Sequence, residues 1–171
     1  MGSRVLVAHA SKRGGTGEIA EEIGRVLRDA GLDVDVVPAD RAGDPSAYDA
    51  VVLGSAVYIG RWRKEAVKFL EAHAETLADR KVWFFSSGPT GEGDPLELVE
   101  GVLVPEALQR VVDQIEPRDV TVFHGILDAS ELNFIERRMI KMVKAPLGDF
   151  RDWDAIRSWA EAIADELEEA G

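Results

Sequence analysis

The sequence predicts a three-layer α/β fold in which helices cover both faces of a parallel β-sheet. Strand-like apolar runs alternate with amphipathic helical stretches from one end of the chain to the other. Several of the strand-like runs are apolar at nearly every position, as in strands that are buried on both faces. Alternation at this spacing is typical of right-handed β-α-β crossovers. We expect one domain over residues 1–171.

The first part of the chain supplies three strands and one helix. "RVLVAHA" (4–10) is a near-continuous apolar run and predicts the first strand. After a polar turn, apolar residues recur at helical spacing from Ile19, and Gly31 ends this helix. "LDVDVVPAD" (32–40) alternates like a strand nearer the sheet edge, and "YDAVVLGSAV" (48–57) is again of the buried type. These runs predict the second and third strands.

The remainder supplies two strands and three helices. Residues 63–78 place apolar residues on one helical face, and "KVWFFSSG" (81–88) predicts the fourth strand. Pro105 suits the first position of the next helix. "DVTVFHGIL" (119–127) predicts the fifth strand, and residues 153–168 form an amphipathic helix that closes the domain.

Charge and cysteine content narrow the function classes. The chain has 20 Lys and Arg against 32 Asp and Glu, and its formal charge of -12 disfavours general nucleic-acid binding, because phosphate would be repelled. With no cysteine there is no disulfide framework and no thiol nucleophile, which suits a cytoplasmic protein. The longest apolar runs fall short of the roughly 18 residues that a membrane span needs.

The turn after the first strand has the composition of a phosphate-binding loop. Free backbone amides at a helix start attract an anion, hydroxyls donate to its oxygens, and glycines let the backbone come close. The residues are Ser11, Lys12, Arg13, Gly14, Gly15 and Thr16. The alternative is that the glycines only turn the chain and that Thr16 caps the helix.

This turn differs from the loops of other common folds. It has no Gly-Lys-Ser/Thr ending and no G-x-G-x-x-G pattern, so a triphosphate or a dinucleotide is disfavoured. A response-regulator receiver domain needs acidic residues directly after the first strand, where this chain has Ser11 and Lys12. A single terminal phosphate is the ligand group that remains.

Two further loops are expected at the same edge, because ligands of open α/β sheets lie beyond the carboxyl ends of the strands. The loop after the third strand offers amides, a glycine and two aromatic rings: Ser55, Ala56, Val57, Tyr58, Ile59, Gly60, Arg61 and Trp62. The loop after the fourth strand offers Ser87, Gly88, Pro89, Thr90 and Gly91. Together the loops fit a flat heterocycle with one phosphate, and FMN fits best. A core or surface position remains the alternative for Tyr58 and Trp62.

Ser11, Gly14 and Thr16 match the S/T-x-x-G-x-T phosphate loop, and the chain resembles flavodoxin-like proteins. More narrowly, it resembles the flavodoxin-domain family that includes menaquinone-dependent protoporphyrinogen oxidases. "GSAVYIGRWRKEAVKFLEAHAETL" (54–77) is similar to the family's second loop and helix, and residues 136–167 are similar to its C-terminal region. The resemblance implies a five-stranded parallel sheet in the order 2-1-3-4-5.

The resemblance also implies FMN held by the three loops, with hydride or electron transfer at the flavin. An FMN-dependent oxidoreductase is the expected function, its substrate unassigned, and a flavodoxin-type electron carrier without its own substrate is the alternative. The oxidase branch typically carries a longer, basic insertion after the fourth strand. This chain instead has acidic "TGEGDPLELVEG" (90–101), which leaves a porphyrinogen substrate open.

Two groups of charged residues indicate what the protein could contact. Cations near two of the loops predict a locally positive rim that attracts an anionic substrate: Lys12, Arg13, Arg61, Arg63 and Lys64. Residues 131–144 mix cations with apolar residues, as in a helix packed on the sheet or in a segment that contacts an anionic membrane surface or a quinone-bearing partner.

His9, His73 and His124 show no metal-ligand spacing, and for His9 and His124 we expect buried, hydrogen-bonded side chains. No Ser/His/Asp arrangement supports hydrolysis.

Overall fold

The main sheet has the predicted parallel architecture. The computed structural model describes residues 3–11, 15–58, 61–90, 93–99, 104–127, 133–143 and 146–170. Its strands are β1 (Arg4–Ala10), β2 (Asp33–Pro38), β3 (Ala50–Tyr58), β4 (Arg61–Trp62), β5 (Lys81–Ser87) and β6 (Asp119–Phe123). The parallel order is β2-β1-β3-β5-β6, and β4 is a two-residue antiparallel partner of β3. β4 was not among the five predicted strands and lies outside the parallel order. The five parallel strands therefore confirm the predicted order 2-1-3-4-5, with β5 and β6 as the fourth and fifth strands.

Helices cover both faces of this sheet. They are α1 (Gly15–Asp29), α2 (Lys64–Ala72), α3 (Ala74–Ala78), α4 (Pro95–Leu98), α5 (Gln109–Ile115), α6 (Phe134–Val143) and α7 (Trp153–Ala170). Side chains alternate across β1, so Val5 and Val7 join the core beneath α1 and α7, while Leu6 and Ala8 join the core beneath α2, α3 and α5. All four are fully buried, as expected of a strand covered on both faces.

Two predicted elements are interrupted. The helix expected over 63–78 is split into α2 and α3, because His73 has φ −121° and ψ 18°, outside the helical region. The strand expected over 119–127 ends at Phe123, and residues 126–127 form a short strand β7 (Ile126–Leu127) that pairs with β8 (Gly148–Asp149). The chain leaves the sheet there because Gly125 packs on the backbone of Gly88 and donates to the carbonyl of Pro89 at 2.9 Å.

Helix α1 ends as the sequence indicates. Gly31 adopts a φ of 94°, a left-handed conformation that glycine takes without strain. The amide of Gly31 donates to the carbonyl of Arg28 at 2.9 Å. Across the part of the chain that the structure describes, no helix combines the length and the apolar character needed to span a membrane.

Candidate functional site

The loops after β1, β3 and β5 start from neighbouring points on one edge of the sheet. Ala10 of β1 pairs with Ser55 of β3, and Ser55 pairs in turn with Ser86 of β5. The carboxyl ends of these three strands are therefore level with one another. This edge is where an open α/β sheet binds its ligand.

Thr16 connects the first of these loops to the third. It lies in the first turn of α1, is only 2% exposed, and its Oγ1 is 2.9 Å from the Oγ of Ser87 at the end of β5. Either hydroxyl can act as the donor. Thr16 lies inside the helix, which begins at Gly15, so it is not the N-cap residue. The contact instead fixes the start of α1 against β5.

Ser55 and Trp62 anchor the loop after β3 through hydrogen bonds. The hydroxyl of Ser55 accepts a hydrogen bond from the amide of Arg63 and donates to the carbonyl of Ala56, both at 2.9 Å. Trp62 is 5% exposed, and its Nε1 donates to Ser86 Oγ at 2.8 Å. Its ring packs edge-on against a core phenylalanine, with centroids 5.9 Å apart. Trp62 thus has the core position that the sequence left as an alternative, and its indole anchors the loop.

Glycines let the ends of β3, β5 and β6 come close together. A Cβ on Gly88 would lie 3.1 Å from the carbonyl oxygen of Val57, and one on Gly125 would lie 2.8 Å from the Cα of Gly88. The amide of Gly88 donates to the carbonyl of Phe123 at 3.3 Å. Backbone from three strand ends therefore packs with no room for a side chain at Gly88 or Gly125.

Two polar atoms beside these glycines are buried without a partner. Thr90 is 8% exposed, and its Oγ1 has no hydrogen-bond partner among the described residues; the same holds for Nε2 of His124. The expectation that His124 is hydrogen-bonded is therefore wrong for this nitrogen. An unpaired buried polar group costs about 1–3 kcal/mol. Such a group needs an explanation, and a bound water, ion or ligand can supply the missing partner.

Arg151 is a residue of this region that sequence reasoning missed. Its side chain is 7% exposed and pairs with Asp149 at 2.8 Å and Glu18 at 3.3 Å. Its guanidinium also donates to the carbonyl of Gly15 at 3.4 Å, beside the start of α1. The side-chain hydrogen bonds between Arg151 and Asp149 lower the pKa of Asp149 and raise the pKa of Arg151. The only sequence signal is the D-x-R spacing after Gly148.

His9 lies on the α1 side of the sheet. Its ring is 3.3 Å from the position of a Cβ on Gly17, so a side chain at position 17 would meet the ring. Burial lowers the pKa of His9, and the carboxylates of Glu21 and Asp40 oppose that shift. His9 is therefore favoured in its neutral form at neutral pH.

The remaining predicted residues differ in how far the structure describes them. Ser11 directly follows β1 and is half-buried, as are Ala56, Val57 and Pro89. Tyr58 ends β3 opposite Arg61, and its side chain lies outside the described part. Also outside the described residues are Lys12, Arg13, Gly14, Ile59, Gly60 and Gly91. Of the rim cations, Arg61 is exposed and Arg63 lies 3.9 Å from the carboxylate of Glu65.

Comparison with known proteins identifies the family. A family model described as "Flavodoxin domain" matches residues 6–154. Protoporphyrinogen IX dehydrogenase [quinone] of Escherichia coli K12 is 23% identical over 172 aligned positions, which cover 94% of each chain. Since the family model matches most of the chain, the protein belongs to the flavodoxin domain family, and the resemblance seen in the sequence is confirmed.

Solved structures agree on the fold. A flavodoxin from the domain Archaea superposes with a TM-score of 0.64 at 13% identity and covers 96% of this chain and 99% of its own. A flavodoxin from Streptococcus pneumoniae TIGR4 gives a TM-score of 0.58 at 20% identity, covering 99% of this chain and 100% of its own. The flavodoxin-like α/β fold is therefore shown.

Proposed function

We propose that this member of the flavodoxin domain family binds FMN at the edge formed by the loops after β1, β3 and β5 and acts as an FMN-dependent oxidoreductase. The observation that carries the proposal is the buried contact between Thr16 and Ser87, which brings the start of α1 and the end of β5 together at that edge. The residues fit the cofactor, because Thr90 Oγ1 and His124 Nε2 are buried polar atoms with no hydrogen-bond partner among the described residues, and a bound ligand could pair with them. Bound FMN would supply the hydride or electron transfer.

The chain's own residues would bind and orient the phosphate end. Ser11, Gly14 and Thr16 are the proposed phosphate ligands, at the positive end of the α1 dipole. A phosphate oxygen only accepts hydrogen bonds, so the Thr16 hydroxyl has to donate to it. Ser87 then has to donate to Thr16, because a hydroxyl has only one proton. In this arrangement Ser87 sets the direction in which the Thr16 hydroxyl points.

The other two loops would hold the flavin ring. The proposed contacts come from the backbone and side chains of the following residues: Ser55, Ala56, Val57, Tyr58, Ile59, Gly60, Ser87, Gly88, Pro89, Thr90 and Gly91. Trp62 would support the second loop through its hydrogen bond to Ser86. Thr90 Oγ1, which is buried and has no hydrogen-bond partner in the described part of the chain, is the proposed partner for a polar edge of the ring.

The substrate class follows from similarity and charge. The relative from Escherichia coli is named as a protoporphyrinogen IX dehydrogenase, and a porphyrinogen is the candidate substrate that we propose. An electron carrier is the second candidate, because a formal charge of -12 favours docking with a basic redox partner. Either role is compatible with the cytoplasmic location that we propose.

A steady-state assay separates the two roles. Protein reconstituted with FMN is mixed with protoporphyrinogen and a menaquinone analogue, and porphyrin formation is followed by fluorescence. Turnover that depends on FMN supports the oxidoreductase. A flavin that a reductase reduces, combined with no turnover in this assay, would identify a carrier instead.

A further inference from the structure

Helix α6 presents an outward face that the proposed flavin site does not explain. Within the described part of the chain, four of the six exposed large apolar residues lie in or just after this helix. Phe134 is 78% exposed, Ile135 68%, Met142 77% and Leu147 52%. In a water-soluble surface helix such residues normally face the core.

The same face is cationic. Phe134, Arg138 and Met142 follow one another at a spacing of four residues and share one side of the helix, with Ile135 and Lys141 flanking them. The carboxylate of α6, on Glu136, is 4% exposed and takes part in a capping box with Asn133. We call Phe134, Ile135, Arg138, Lys141 and Met142 the α6 face.

Helix α6 lies in the sequence between β7 and β8, and β7 lies beside the start of α1. β7 and β8 pair with each other, so the strands that precede and follow α6 in the sequence lie side by side. Ile126 of β7 lies against Gly15, since a Cβ on that glycine would be 2.8 Å from its Cγ2. The strand that leads into the segment carrying α6 therefore lies beside the first residue of α1.

We propose that the α6 face docks on an anionic lipid surface. Apolar side chains mixed with cations on one side of a helix match the acyl and headgroup layers of such a surface. The chain has a formal charge of -12, so an anionic bilayer repels most of the protein and the cationic α6 face sets the orientation. A symmetric contact with a second copy would instead bring the cations of two identical patches into one interface. The inference goes beyond the proposed function and needs no bound flavin.

Co-sedimentation of the full-length protein with vesicles tests the apolar part of this face. We expect binding to vesicles that contain phosphatidylglycerol and little binding to pure phosphatidylcholine. Phe134→Glu with Ile135→Glu should lower the partition coefficient by more than about tenfold. The matched control is Ala155→Glu with Ala162→Glu, which adds the same charge at exposed positions of α7 and should leave the partition nearly unchanged.

A second pair of variants tests the cations. Arg138→Gln with Lys141→Gln should weaken vesicle binding about fivefold for each charge removed, and added salt should weaken the wild type in the same direction. Lys68→Gln with Arg110→Gln removes two exposed cations from α2 and α5 and should have a smaller effect. All variants are exposed at the surface, and circular dichroism checks that they fold.

Three results would overturn the inference. They are no sedimentation of the wild type, equal binding to neutral and anionic vesicles, and equal losses in the α6 variants and their controls. A dimer that the Phe134→Glu and Ile135→Glu variant dissociates, without vesicle binding, would show that a second copy covers the face. FMN titration of the same samples keeps the two proposals apart. Vesicle binding by a protein that takes up no FMN would leave this inference standing and refute the proposed function.

Discussion

Replacement of Thr16 by alanine tests whether the loop after β1 recognises a phosphate. The change removes the hydroxyl proposed to donate to the FMN phosphate, a charge-assisted hydrogen bond worth roughly 1.5–3 kcal/mol. Because 1.4 kcal/mol is a factor of ten, FMN affinity should fall by about one to two orders of magnitude. Riboflavin has no phosphate, so its weak binding should be the same in the wild type and the variant. Fluorescence quenching of both flavins titrated into apoprotein measures the two effects.

The contact with Ser87 supplies the control. Thr16→Ala also leaves the buried Ser87 Oγ without this partner, which should lower the free energy of unfolding by about 1–3 kcal/mol. Ser87→Ala breaks the same contact but keeps the Thr16 hydroxyl, so it should lose stability with a smaller loss of FMN affinity. Thr16→Ser keeps the hydroxyl and should bind FMN nearly as the wild type does. Urea unfolding of the apoproteins gives the stability changes.

The pattern across ligands decides between the two roles of Thr16. A loss that is confined to FMN means that the hydroxyl contacts the phosphate. If Thr16→Ala weakened riboflavin as much as FMN, the loop would shape the fold without binding the phosphate, and the site assignment at β1 would be wrong.

Three further predictions concern packing, anchoring and charge. Gly54→Ala should lower the free energy of unfolding by about 1–3 kcal/mol, because the new Cβ would lie 2.0 Å from the buried ring of Phe85; an unchanged urea midpoint would contradict the packing described. Trp62→Phe should lower stability by about 0.5–1.5 kcal/mol through loss of its N–H donor and leave FMN affinity nearly unchanged, whereas a large loss of affinity would mean that the ring contacts the flavin. Asp149→Asn should cost about 1 kcal/mol at neutral pH. The hydrogen bond with Arg151 lowers the pKa of Asp149 in the folded state, so this stabilisation is present above the unfolded-state pKa of Asp149. It should vanish as pH falls through the folded-state pKa. A difference in denaturation midpoint that does not change with pH would refute the pairing.

The sheet was predictable because burial on both faces leaves a local signal. Runs such as residues 4–10 are apolar at nearly every position, and helices with one apolar face lie between them. Interruptions were harder to predict. The helical spacing of apolar residues continues through His73, although the backbone there leaves the helical region. The strand pattern likewise continues past Phe123, where close packing of Gly125 against Gly88 turns the chain away from the sheet.

The site was predictable in its location and less so in its contacts. Strand ends at one edge follow from the order of a parallel sheet, and the hydroxyls and glycines of the loops can be seen in the sequence. The contact between Thr16 and Ser87 joins residues 71 positions apart and depends on the register of β1, β3 and β5. Trp62 has a polar sequence context, yet its indole is buried because Ser86 provides a partner for its N–H. Arg151 reaches the start of α1 from a part of the chain more than 130 residues away, next to the β7–β8 pairing, which local sequence does not reveal.

The flavin content of the purified full-length protein tests the central claim most directly. The account predicts a yellow protein with flavin absorbance that releases FMN on heating, and an apoprotein that takes up one FMN per chain, with weaker binding of riboflavin. A colourless protein whose apo form binds neither flavin when FMN is supplied in excess would contradict the account.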